Sequence, residues 1–222
     1  MSVSVIFDLD GTLADTSMDL LNAANAVFEA DGYDPPLKHP QDAGTALRGG
    51  KAMLTLGVSR IPELGQDYVE AGYQPLLKHY AENLDKHTVL YDRVVPALER
   101  LRADGHILGV CTNKPAWLAE PLLKSLGIWE FFGAMLGSDS LPIRKPDPEH
   151  LFETIRRAGG DVTRGVLIGD SDTDRNTSKA ARLPSILVGF GPMGSAISEL
   201  KPEAILDHYD DLPDLINSMF PA

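Results

Sequence analysis

The sequence predicts a doubly wound α/β fold, a parallel sheet with helices on both faces, into which a helical segment is inserted. Three observations lead there. From about residue 88 onward, short β-branched or apolar runs alternate with amphipathic helical stretches, the pattern of a parallel sheet with crossover helices. A further apolar strand, Val3-Ser4-Val5-Ile6-Phe7, opens the chain. About seventy mostly helical residues separate that strand from the rest.

The elements follow in order. The first strand ends in the turn sequence Asp-Leu-Asp-Gly-Thr. From Ser17 to about Ala30 the period becomes helical, with Leu20, Ala24, Val27 and Phe28 on one face and Ser17 placed to cap the start. Residues 31–61 are interrupted by Gly32, Pro35, Pro36, Pro40, Gly49 and Gly50, which predicts short helices and loops. Residues 62–84 carry a stripe of Leu76, Leu77, Tyr80 and Leu84, and Pro75 is expected to break or kink that helix. The regular alternation then begins. A helix over Val94–Ala103 stops at Gly105 and a strand follows at Ile107–Cys111. A helix carries Leu118, Leu122 and Leu126 with Gly127 just past its end. Next come a short strand at Ala134–Gly137 and a helix through Leu151, Phe152 and Ile155 that stops at Gly159-Gly160. Val166–Ile168 is a strand, a helix lies near 174–182, and Ile186–Val188 and Ala204–Leu206 are further strands. Leu212, Leu215, Ile216 and Met219 mark a terminal helix. On this reading residues 1–14 and 88–222 form the Rossmann-like α/β core, and residues 15–87 form a helical cap inserted after strand one. In open parallel sheets ligands bind at the C-terminal ends of the strands, and an insertion at this point is expected above that end.

Composition narrows the function classes. The 222 residues suffice for one α/β core with a large insertion. A net charge of −12 argues against nucleic acid as a partner, because phosphate-backbone binding needs clustered Lys and Arg. No apolar run approaches the roughly 18–20 residues that span a bilayer, so no membrane partner is expected. The start, MSVSVIFDLDG, lacks the basic and apolar regions of a signal peptide, which makes cytoplasmic residence the expectation. Cys111 is the single cysteine, so no intrachain disulfide forms. Oligomeric state and partner proteins leave no signal in the sequence.

Four polar groups interrupt the pattern, each at the C-terminal end of a predicted strand or in the loop after it. They are Asp8 with Asp10, Thr112 with Asn113, Lys145 before Pro146, and Asp170 with Asp172 and Asp174. Converging carboxylates repel unless a cation joins them. A hard divalent ion with oxygen ligands suits such a set, and Mg²⁺ suits it best because it keeps waters and a substrate phosphate. A carboxylate beside such an ion stays ionised and can attack phosphorus. Lys145 and the Thr112 hydroxyl supply positive charge and a donor to a phosphoryl group in transfer. Asp10 can protonate the leaving oxygen and then deprotonate the water that hydrolyses the intermediate. That role needs a carboxyl raised above its usual range by nearby phosphate and apolar walls. A calcium loop is a poor alternative: Asp170-x-Asp172-x-Asp174 has Arg175 and Ala181 where such a loop wants Gly and Glu. Cys111 reads as packing rather than as a nucleophile.

The ordered set resembles the haloacid dehalogenase superfamily, and within it the phosphoglycolate phosphatase-like branch. Asp8-Leu9-Asp10-Gly11-Thr12 matches the first motif, the Thr112 that closes a hydrophobic strand the second, Lys145-Pro146 the third, and Gly169-Asp170-Ser171-Asp172-Thr173-Asp174 the fourth. The resemblance implies that Asp8 is nucleophile and metal ligand. It implies that Asp10 is the acid/base, with its backbone carbonyl on the metal, and that Thr112, Asn113 and Lys145 bind the phosphoryl group. Asp170 is then a metal ligand, and Asp174 a second metal-site carboxylate acting through water. Asp172 stands at a variable family position. The implied reaction is hydrolysis of a small phosphate monoester through an aspartyl-phosphate, with phosphoglycolate as the expected substrate. A sugar phosphomutase of the same superfamily is the alternative, and a non-catalytic metal-binding regulatory module a lesser one. Dehalogenases usually lack the second Asp of the first motif.

Two positions depart from the family pattern: Arg93 and Arg182 stand where relatives often carry Gly. Within the cap, Arg48-Gly49-Gly50-Lys51 reads either as a flexible link between helices or as a loop that brings Arg48 and Lys51 to an anionic substrate.

Overall fold

The computed structural model describes residues 2–221. Its strands are β1 (Ser4–Phe7), β2 (Ala14–Asp15), β3 (Val89–Leu90), β4 (Ile107–Cys111), β5 (Ala134–Leu136), β6 (Gly165–Gly169), β7 (Ser185–Val188) and β8 (Ala204–Leu206). Its helices are α1 (Ser17–Ala30), α2 (Ala43–Ala46), α3 (Gly50–Ser59), α4 (Gln66–Glu82), α5 (Val94–Ala103), α6 (Ala116–Ser125), α7 (Pro148–Arg157), α8 (Asp172–Ala181) and α9 (Leu212–Met219). Two compact units emerge, one from the residues up to Ala14 together with those from Leu90 onward, the other Asp15–Val89.

The first unit holds a six-stranded parallel sheet in the order β5-β4-β1-β6-β7-β8. β1 is central and all four of its residues are buried, which is why it reads as a continuous apolar run rather than an alternating one. Phe7 pairs in register with Val110 of β4 and with Ile168 of β6. Three strands therefore end level with one another, and the residues just beyond them share one edge of the sheet. Ile6, Cys111 and Leu167 from these strands pack with Leu151 and Ile155 of α7 and with Ala181 and Leu183 at the end of α8. Each such side chain contributes about 1.5–3 kcal/mol when fully buried. Among the described residues, no helix is long and apolar enough to cross a membrane.

The second unit is helical. α1 buries Leu20, Leu21, Ala24, Val27 and Phe28. Its first residue is Ser17, which does not cap it; Asp15 Oδ1 instead accepts from Ser17 N at 3.0 Å and from Ser17 Oγ at 2.6 Å. The expected break at Pro75 does not occur, and α4 runs through it, burying Val69, Gly72, Leu76 and Tyr80. Pro75 and Ala71, four residues earlier, are both exposed, so the carbonyl that loses its helical donor faces water, which can satisfy it. Leu84 lies beyond the helix.

Candidate active site

Asp8 leaves β1 with its N–H bonded to Ile168 O at 2.8 Å, which fixes its backbone to the neighbouring strand. Thr112 leaves β4 held by Leu136 O at 3.0 Å. Asp170 follows β6, and Asp174 lies in the first turn of α8. Ser171 caps α8 by accepting from Asp174 N, while Asp174 Oδ2 accepts from the N–H of Asp170 and the N–H and Oγ of Ser171. The other oxygen of Asp174 receives Lys145 Nζ at 2.7 Å, and Lys145 Nζ also lies 3.0 Å from Asp8 Oδ1. Gly169 is required here, because a Cβ at that position would sit inside the van der Waals envelope of the Asp174 carboxylate.

Asp8, Asp170 and Asp174 thus each offer an oxygen within 4.8 Å of the others. With all three ionised, these carboxylates against the one Lys145 ammonium would leave two negative charges uncompensated in a buried site. Burial pushes the Asp8 carboxyl up to about 6, with Lys145 pulling it down and Asp174 and Asp10 pushing it up. Burial, then Asp174 and Asp8, hold Asp170 well above the usual carboxylate range. Burial alone would lower Lys145, but Asp174 and Asp8 outweigh it and hold the ammonium firmly charged. A divalent cation fits this deficit. No hydrogen bond among the described residues reaches Asp8 Oδ2 or Asp170 Oδ2, whereas both oxygens of Asp174 are taken up by donors. Asp8 and Asp170 can therefore serve as direct ligands, and Asp174 as charge and brace.

Thr112 Oγ1 accepts from Lys114 N at 3.1 Å, which leaves its hydroxyl proton to donate. The side chain of Asn113, expected at the phosphoryl group, donates one N–H to Lys145 O at 3.0 Å and so holds the loop that carries the lysine, with its second N–H still to give. Two functional groups were not anticipated. Lys114 Nζ lies 2.9 and 3.2 Å from the two carboxylate oxygens of Asp10, with only 3% of its side chain exposed. Thr12 Oγ1 donates to Asp170 Oδ1 at 3.2 Å, and its own carbonyl accepts from the buried Tyr209 hydroxyl at 2.8 Å. Lys114 was legible only as a lysine two residues after Thr112; Tyr209 gave no signal.

In the helical unit, Gly50 and Lys51 open α3, and Gly49 caps it at φ 96°, a backbone only glycine adopts cheaply. Lys51 pairs with Glu70 at 2.6 Å, and both side chains are largely exposed. Arg48 is exposed and makes no ion pair among the described residues.

This sheet edge, with two aspartates after the first strand and the threonine, lysine and acidic groups after the others, is that of a haloacid dehalogenase-like hydrolase. The model of that family matches residues 5–188, and the chain belongs to it. It is a phosphatase, similar to the phosphoglycolate phosphatase of Mesorhizobium japonicum (38% identity, covering 94% of this chain and 92% of the relative). It is likewise similar to that of Agrobacterium fabrum (35%, covering 94% and 90%). A crystal structure from Haemophilus somnus, described as a predicted phosphoglycolate phosphatase, superposes with a TM-score of 0.83 at 27% identity, covering 96% of this chain and 97% of that one.

Proposed function

We propose that the chain hydrolyses phosphoglycolate and related small phosphate monoesters in the cytoplasm, through an aspartyl-phosphate on Asp8, with Mg²⁺ as its metal. The observation that carries this reading is the buried Asp8–Asp170–Asp174 cluster, two charges short of neutrality even with Lys145 in its midst. Asp8, Asp170 and the backbone carbonyl of Asp10 would hold the metal. When bound, it neutralises the cluster and draws in the phosphoryl oxygens. Lys145 and the Thr112 hydroxyl bind the same group. Asp8 attacks phosphorus, the ester oxygen leaves, and Asp10 gives that oxygen its proton. Asp10 then takes a proton from the water that opens the acyl-phosphate, and Asp8 is regenerated.

Discrimination among leaving groups falls to Arg48, whose planar guanidinium suits a carboxylate bidentately. Relatives named phosphoglycolate phosphatase support that choice of substrate. The test is phosphate release from phosphoglycolate by the purified protein, with EDTA and then with Mg²⁺ restored, and no sugar bisphosphate primer. Release only with Mg²⁺ is expected. Full activity in metal-free buffer would overturn the metal assignment, and a primer requirement would indicate a mutase. Mass spectrometry after beryllium fluoride treatment should place the adduct on Asp8.

A further inference from the structure

His150, in the first turn of α7, has no exposed surface, and both of its ring nitrogens have partners. Nδ1 lies 3.3 Å from Cys111 Sγ and Nε2 lies 3.1 Å from Gly137 O. Burial pushes the Cys111 thiol up to about 12, so it keeps its hydrogen and donates it to Nδ1. Burial also holds the imidazole below its ordinary range, and Gly137 O accepts from Nε2–H. One tautomer satisfies both contacts.

The carbonyl held in this way belongs to the turn on which the Lys114 backbone rests. Ser138 N donates to Lys114 O at 3.0 Å, Asp139 Oδ1 accepts from Ala116 N at 2.6 Å, and Ser140 Oγ accepts from Gly137 N at 2.9 Å. Gly137 packs so closely on Lys114 O and Ala116 N that a Cβ would overlap them. From that backbone the Lys114 side chain reaches Asp10. We infer that His150 is a positioning residue, which acts through the Gly137–Ser140 turn to set the Lys114–Asp10 pair beside the leaving oxygen. This rests on the assignment of Asp10 as the acid/base.

Three variants at this position separate the contacts. His150→Leu removes both. His150→Gln keeps a donor able to reach Gly137 O, and His150→Asn keeps only the end facing Cys111. With Mg²⁺ and phosphoglycolate, His150→Leu should lower kcat by about 10- to 100-fold, the scale of a small misplacement of catalytic groups. KM should stay within about threefold, because Thr112 and Lys145 still bind phosphate. His150→Gln should recover most of the loss and His150→Asn should not. If the leucine variant fails to fold, the Gln–Asn contrast still decides. In a Lys114→Met background, His150→Leu should cost nothing further. Amide exchange at Ser138 should quicken in the Leu and Asn variants but not in Gln, a readout independent of turnover. Wild-type kcat in folded His150→Leu, equal loss in Gln and Asn, or undiminished loss in the Lys114→Met background would each overturn the proposal. If the wild-type protein itself releases no phosphate, the phosphatase reading fails, while Ser138 exchange still tests the brace.

Discussion

At the scale of single residues, the site separates charge from donor. On the proposed mechanism Asp8 attacks as an anion, so Asp8→Asn should keep the fold and lower turnover by about 10³-fold or more, measured as phosphate release. Lys114 poses a different problem. Its ammonium lies 2.9 Å from the Asp10 carboxyl, and neither group is well solvated. Lys114→Met removes the ammonium that Asp10 meets, which should cost about 1–3 kcal/mol of stability and roughly tenfold or more in kcat. Denaturant melts and steady-state kinetics check the two effects; wild-type values for both would mean that the pair is incidental. Arg48→Ala should lower kcat/KM for phosphoglycolate by roughly thirty- to a hundredfold and spare p-nitrophenyl phosphate, which has no carboxylate to lose. Equal losses on both substrates would remove Arg48 from specificity.

At the scale of elements, two arginines occupy glycine's place. Arg182 ends α8 at φ 56° and Arg93 begins α5 at φ 65°, both in the left-handed region that glycine adopts cheaply. A non-glycine residue in that region costs about 1–2 kcal/mol, partly offset by the entropy glycine adds to the unfolded chain. Arg182→Gly should therefore raise stability by about 0.5–1 kcal/mol in urea melts. The link between α1 and α2 is tied down by Asp42, which receives both guanidinium nitrogens of Arg60, while one of those nitrogens also reaches Pro36 O. The Arg60 hydrogen bonds hold the Asp42 carboxyl below its ordinary value of 3.8, against the opposing effect of burial. A depressed carboxylate contributes stability above the unfolded-state value and loses it as pH falls through the folded-state value. The gap in urea midpoint between wild type and Arg60→Ala should accordingly be constant from pH 7 to about 4.5 and narrow as pH falls below about 4. A gap that does not narrow on acidification would assign the effect to packing and the Pro36 bond. Arg60 is partly exposed, so the gap should be modest.

At the scale of the whole molecule, the site is built at a cost that a bound divalent cation would offset. Three carboxylates share one buried ammonium, so the metal-free chain carries self-repulsion at its centre. Mg²⁺ at a hundred times its dissociation constant should add about 2.7 kcal/mol. For a chain of this length that is about 5–10 °C in melting temperature, reversed by EDTA. No shift with Mg²⁺ would remove it as the resident ion.

The sequence by itself determined the order along the chain of the six strands of the large sheet and the boundaries of α5 and β4, and it singled out Asp8, Lys145, Asp170 and Asp174, which lie together in the structure. It could do so because apolar periodicity and polar residues at strand ends are local signals. Only the tertiary structure decided what those residues do to one another. Residues 104 positions apart meet in the Lys114–Asp10 pair, and the Tyr209 hydroxyl crosses 197 positions to reach Thr12. The local pattern did not show that α4 continues through Pro75 or that Ser17 lies inside α1. The cost of an interior proline depends on whether the freed carbonyl faces water, and α1 starts one residue earlier than a Ser17 cap requires, with Leu20 N bonded to Thr16 O. Long-range pairing and solvent exposure are properties of the packed chain, and no window of sequence contains them.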